Sequence, residues 1–189
     1  MRNFIPLILC IFIASLTSGF KQKKQSKIVD YNTASERILG NAIKRVSKKY
    51  PLSLAGLGGG IDHEEKKNRV FDVMFDMQKK VTRDQARYII LDILDTFLYY
   101  ANNDPEVAPF LKPYPFTHKG FHIALFIQNK DGSDVWHPEI GVVSLADWGD
   151  IRYKTQIYNG EFAEDLDIYT ETVEEAREIL AKQLSQGSQ

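Results

Sequence analysis

Apolar and polar positions are patterned most clearly between Arg69 and Ala101, and the rest of the chain is arranged around that stretch. From Val70 to Met77 the period is two. Phe71, Val73, Phe75 and Met77 share one face of a strand, while Asp72 and Asp76 share the other. Thr82-Arg83-Asp84-Gln85 is a capping box, in which the Thr82 hydroxyl accepts from the Gln85 amide and the Gln85 side chain reaches back. Beyond it, Ala86, Ile89, Ile90, Ile93, Leu94, Phe97, Leu98 and Ala101 form one wide apolar stripe at helical spacing. A half-buried strand followed by a one-sided helix requires partner surfaces from the remaining chain.

The flanking patterns predict those surfaces. Thr33-Ala34-Ser35-Glu36 reads as the capping box of a first helix. Its stripe is Ile38, Leu39, Ala42, Ile43 and Val46, and Pro51 ends it. Leu52 to Ile61 reads as a strand that turns glycine-rich, and Asp62 to Asn68 as a charged loop leading into an antiparallel partner strand. Asp104 to Phe116 holds Pro105, Pro109, Pro113 and Pro115, which predicts an extended crossing loop. Three strands follow over Gly120 to Asn129, Glu139 to Leu145 and Ile151 to Tyr158, with turns at Lys130-Asp131-Gly132-Ser133 and Asp147-Trp148-Gly149-Asp150. Asn159-Gly160 closes the last of them. Glu161 to Glu178 reads as an acidic loop and helix N-terminus. Thr172-Val173-Glu174-Glu175 caps a final helix striped by Ala176, Ile179, Leu180 and Leu184.

The element order is therefore αββαβββα. Short links favour antiparallel pairing, so the fold class is α+β. The expected architecture is a two-layer sandwich with a mainly antiparallel sheet of about five strands and helices gathered on one face. One domain spans 32–185, with 186–189 as a frayed tail.

Composition adds a compartment. The 189 residues suffice for one domain with a full core. The first residues, Met1-Arg2-Asn3, are basic, and Phe4 to Leu16 is an uncharged apolar run shorter than the roughly 20 residues that span a bilayer. Small residues follow, so 1–19 reads as a secretory signal peptide cleaved after Ser18 or Gly19, with 20–31 as a basic linker. An uncleaved membrane anchor is the alternative. Leu16-Thr17-Ser18 resembles the start of a bacterial lipobox, but Gly19 stands where the lipid-bearing cysteine belongs. Without 1–19 the chain loses Arg2 and Cys10, its only cysteine, and carries 23 basic and 25 acidic residues. The mature protein then has no disulfide and no thiolate chemistry. A net charge near zero gives no reason to expect a nucleic-acid partner.

Candidate chemistry is sparse. Gly56-Leu57-Gly58-Gly59-Gly60-Ile61 has the first two glycines of a dinucleotide loop, but Ile61 replaces the third. An acidic segment, Asp62-His63-Glu64-Glu65, follows where a helix N-terminus should bind phosphate. The glycines read instead as a bulge or a close backbone approach. Asp72 and Asp76 lie roughly 13 Å apart along a strand, too far for paired glycosidase carboxylates, and the same spacing separates His118 from His122. No metal or cofactor is indicated. Trp136, His137, Asp147, Trp148 and Asp150 lie in turns, and Tyr114 and Phe116 in the proline-rich loop; these seven are the candidate ligand-binding residues.

The functional expectation is an exported, non-catalytic binding or interaction module of the cell envelope or extracellular space, with a protein or small-molecule partner. A small secreted hydrolase using Asp or His in an aromatic-lined site is the alternative. Membrane contact is expected only if the N-terminal segment is retained.

Overall fold

In a computed structural model, residues 27–186 are described, apart from 29, 147 and 148. The expected signal segment, most of the linker and the end of the tail lie outside the described residues. The order is α1 (Tyr31–Lys49), β1 (Leu52–Asp62), β2 (Lys67–Met77), α2 (Arg83–Asn102), β3 (Phe121–Ile127), β4 (Val142–Leu145), β5 (Asp150–Tyr158), β6 (Ala163–Thr172) and α3 (Val173–Gln186). Two 3-10 turns, Ala108–Phe110 and His118–Gly120, sit in the crossing segment.

The strands form one six-stranded sheet whose spatial order is the chain order. Neighbours are antiparallel except β2 and β3, which run parallel because α2 and the proline-rich segment carry the chain back across the sheet. This is the expected α+β class. Phe71, Val73, Phe75 and Met77 on β2 and Phe121, Ile123, Leu125 and Ile127 on β3 are buried. They meet the α2 stripe, in which Ile90, Ile93, Leu94 and Phe97 are almost completely enclosed. α1 adds Ala34, Ile38, Ala42 and Val46 to the same core. The helices therefore cover one face of the sheet, and among the described residues no helix lies over the opposite face.

The caps explain where the helices begin. Thr82 and Gln85 form both halves of their capping box, at 3.2 and 3.1 Å. Thr172 and Glu175 form another at the start of α3. The first helix differs from expectation. Asp30 caps it, accepting from the Thr33 amide and hydroxyl at 2.8 Å each, so Thr33 donates to the cap instead of being it. A carboxylate three residues earlier offers the stronger acceptor.

Two strands also differ. Glu139 to Leu145 contributes only Val142–Leu145. Part of the acidic stretch read as loop is β6, paired along β5. Its alternation is hidden because, as an edge strand, it is exposed on both faces over most of its length. The glycine run stays extended within β1. A Cβ on Gly59 would come within 2.6 Å of the Val70 carbonyl oxygen, so the two backbones approach more closely than a side chain allows.

Candidate functional site

The open face of the sheet is built from the positions that alternate with the core. β2 supplies Asp72 and Met74, β3 His122 and Ala124, β4 Ser144, and β5 Arg152. Asp72 and His122 are direct neighbours in the parallel pair. Their contact, His122 Nδ1 to Asp72 Oδ1, is 2.7 Å, and each side chain is about one-third exposed, at 32 %. With Asp72 ionised, Nδ1–H donates to the carboxylate, which fixes the tautomer and the plane of the ring.

The surroundings leave room for this pair. Gly58 lies opposite Asp72 on β1, and a Cβ there would come within 2.9 Å of Asp72 Oδ2. Ala124 and Ser144 face each other across β3 and β4 and are both short. The result is a hollow of about 370 Å³ lined by Asp72, His122, Met74, Ala124, Ser144 and Ala146, with strand backbone as its floor. Ser144 makes no side-chain hydrogen bond among the described residues. Next to it across the β4–β5 ladder stands Arg152, half-buried and without an ion pair among the described residues. The hollow thus presents an oriented imidazole, a hydroxyl and an apolar wall, with a guanidinium on the adjoining strand.

A second concavity, of about 420 Å³, lies where α1 ends against the start of α2. Its Lys49 and Tyr50 are both tied to Asp92 of α2. Lys49 Nζ donates to Asp92 at 2.7 Å and Tyr50 donates to the same carboxylate at 2.9 Å. The hydrogen bond to Asp92 holds the Lys49 ammonium well above its ordinary pKa, and burial, then Asp92, pushes the Tyr50 hydroxyl up. Lys49 also stacks over the Tyr50 and Tyr88 rings. This corner is a tie between two helices.

No family model matches the chain, and no curated protein matches it. The site is therefore read from its own chemistry.

Of the seven residues expected from the turns and the proline-rich loop, the five that are described do not share one place. Trp136 and His137 stand at the Tyr158 end of β5: the Trp136 ring meets Tyr158 edge-on, and the His137 amide donates to Gln156. Asp150 begins β5, roughly 26 Å away along a nine-residue strand. Tyr114 is on that second side, its hydroxyl donating to the Asn102 carbonyl. Phe116 is a core residue, packed at ring distances of 5.6 and 5.7 Å against Phe71 and Phe121. Its aromatic neighbours and the Asn102 side chain hold it in the interior, away from any ligand surface. Asp147 and Trp148 lie outside the described residues.

His118, the other member of the i, i+4 histidine pair, sits in a 3-10 turn, with Glu174 3.8 Å away. Among the described residues no group of three His, Cys, Asp or Glu side chains is placed to hold a metal. In the sequence Asp72 pairs by spacing with Asp76 and His122 with His118, and neither spacing joins Asp72 to His122. The signal that distinguishes them is their shared place at the middle of the wet face, and it requires knowing that β2 and β3 are neighbours.

Proposed function

We propose that the chain is an exported binding module whose ligand seats on the helix-free face of the sheet, in the hollow at Asp72 and His122. The observation that carries this reading is the hollow itself. A sheet face over which no described residue forms a covering layer has small side chains beside an imidazole held in one orientation by a carboxylate. Such a site combines apolar walls with a few aimed polar groups, as small-molecule and peptide sites do. Arg152 beside Ser144 favours a ligand with an anionic end, because a half-buried guanidinium gains most from a carboxylate or phosphate partner. Export rests on the N-terminal pattern of a basic start and a short apolar run. Among the described residues no helix is long and apolar enough to cross a membrane.

Saturation-transfer NMR with a mixture of small carboxylates, phosphates and aromatic acids tests the site. Hits that disappear in a His122→Ala/Ser144→Ala double variant support it. Hits that survive unchanged, or a complete lack of hits, count against it. N-terminal sequencing of the protein recovered outside the cytoplasm tests export, with a start at Gly19 or Phe20 expected.

One observation favours a second reading, hydrolysis. Ser144, His122 and Asp72 line the same hollow, and these are the residue types of a nucleophile, its base and the orienting acid. Ser144 and His122 are offset by two residues on adjacent strands, a diagonal of about 7–8 Å between backbones. Labelling of Ser144 by a fluorophosphonate, abolished by His122→Ala, would replace the binding reading with this one.

A further inference from the structure

We infer that β1 is the edge through which two copies of this chain join, antiparallel, into one continuous sheet. Among the described residues no strand flanks the outer side of β1. From Leu52 through Ile61 it carries no charge and no proline, the two devices that most often protect a sheet edge. Leu54 and Leu57 lie opposite Phe75 and Val73 in the ladder, so both stand on the helix side, yet they are 45 % and 50 % exposed. The helix layer stops short of them.

A two-fold axis normal to the sheet beside β1 resolves both features. It adds a strand of the same antiparallel sense that β1 already makes with β2. It places both helix layers on one side and brings Leu54 and Leu57 of the two copies together in the gap between those layers. It also sets the Leu52 end of one strand beside the Asp62 end of the other. Lys48, in the last turn of α1, is exposed and has no ion pair among the described residues, and Glu64, in the turn after β1, is in the same condition. The antiparallel arrangement brings each Lys48 to the end of the assembly that holds the partner's Glu64.

The opposite edge explains why the assembly stops at two. β6 carries exposed Glu164, Asp165 and Asp167 with no basic residue, so β6 against a second β6 sets like charges side by side. The two edges of the sheet are thus unlike, one neutral and leucine-bearing, the other acidic. This inference uses none of the residues of the hollow and stands or falls separately from the binding reading.

Sedimentation velocity on the full chain, as the cell processes it, tests the inference between about 1 and 100 µM. A two-copy species is expected. Leu57→Lys places a charge on each side of the new ladder and removes apolar contact, so it weakens association by about tenfold or more while the circular dichroism spectrum is unchanged. Leu54→Lys gives the same result and serves if the first variant folds poorly. Asp167→Lys, on the far edge, leaves association as it is. A chain that stays single throughout this range overturns the inference. So do filaments, or two edge variants that associate as well as the parent.

Discussion

Two acid–base pairs sit on opposite faces of the same sheet, one enclosed and one partly in water. On the helix side, Arg87 Nε donates to Glu171 Oε1 at 2.8 Å, with side chains 2 % and 1 % exposed. On the open side, His122 meets Asp72 at 2.7 Å with both groups partly in water. The Tyr153 hydroxyl also donates to Glu171, and Asp84 takes a second nitrogen of Arg87. Burial opposes the Arg87 charge, but Glu171 and Asp84 more than offset it and raise its pKa; burial, then Glu171, pushes the Tyr153 hydroxyl up. Arg87, Glu171 and Tyr153 are enclosed, with Asp84 at the exposed rim, and together they join α2 to the end of β6, where α3 begins. The open pair joins two neighbouring strands that are already joined by their ladder. Enclosed, the contact fixes how distant elements pack. Half-exposed, it contributes little to packing and is left within reach of a ligand.

The sharpest way to break the comparison is to remove one sealed partner. Glu171→Ala leaves a buried guanidinium short of its main counter-charge and should cost about 3–5 kcal/mol in urea unfolding. A loss below about 1 kcal/mol would place the pair among ordinary surface contacts. Next comes Arg87→Met/Glu171→Met, which removes both charges and restores apolar volume. It should recover much of that loss, because well-packed apolar residues often replace a buried pair at little cost. One Glu171 oxygen is buried without a hydrogen-bond partner among the described residues, which favours the same outcome.

On the open face the effect on stability is smaller and the effect on binding larger. His122→Ala should change unfolding by less than about 1 kcal/mol, as partly exposed pairs do, while abolishing the NMR contacts expected at the hollow. Equal losses from His122→Ala and Glu171→Ala would erase the distinction between the two pairs.

The smallest effect belongs to a surface pair at the turn between β1 and β2. The Glu65 amide, then Lys112, holds the Asp62 carboxyl down to about 2. A carboxyl lowered on folding stabilises the native state above its unfolded value near 4, and that contribution fades as pH falls toward about 2. Asp62→Asn should therefore lower stability at pH 5, and the gap from the parent should close as the pH drops through this window. Urea midpoints at pH 5 and at about pH 2.5 measure it. A gap that widens on acidification would contradict the assignment.

What could be read along the chain was local. The β2 alternation and α2 stripe depend on the nearest few residues, and so do the capping boxes at Thr82 and Thr172. All of these stand in the structure as read. Errors arose where a partner decided the outcome. β6 carries acids on both faces, so only its pairing with β5 makes it a strand. The loop residues Trp136, His137, Tyr114 and Asp150 share a chemical character, but the sheet sends them to different ends.

The sequence by itself determined the element types, the α+β class and the apolar faces that form the core, because periodicity and capping act within one or two turns of chain. Tertiary structure decided which polar residues meet. Asp72 and His122 are 50 residues apart and Arg87 and Glu171 are 84. Each pair exists only because the α2 crossover sets β2 parallel to β3 and because β6 closes the far side of the sheet. Burial then assigned the two pairs their different parts, and burial belongs to the assembled layers, not to any stretch of sequence.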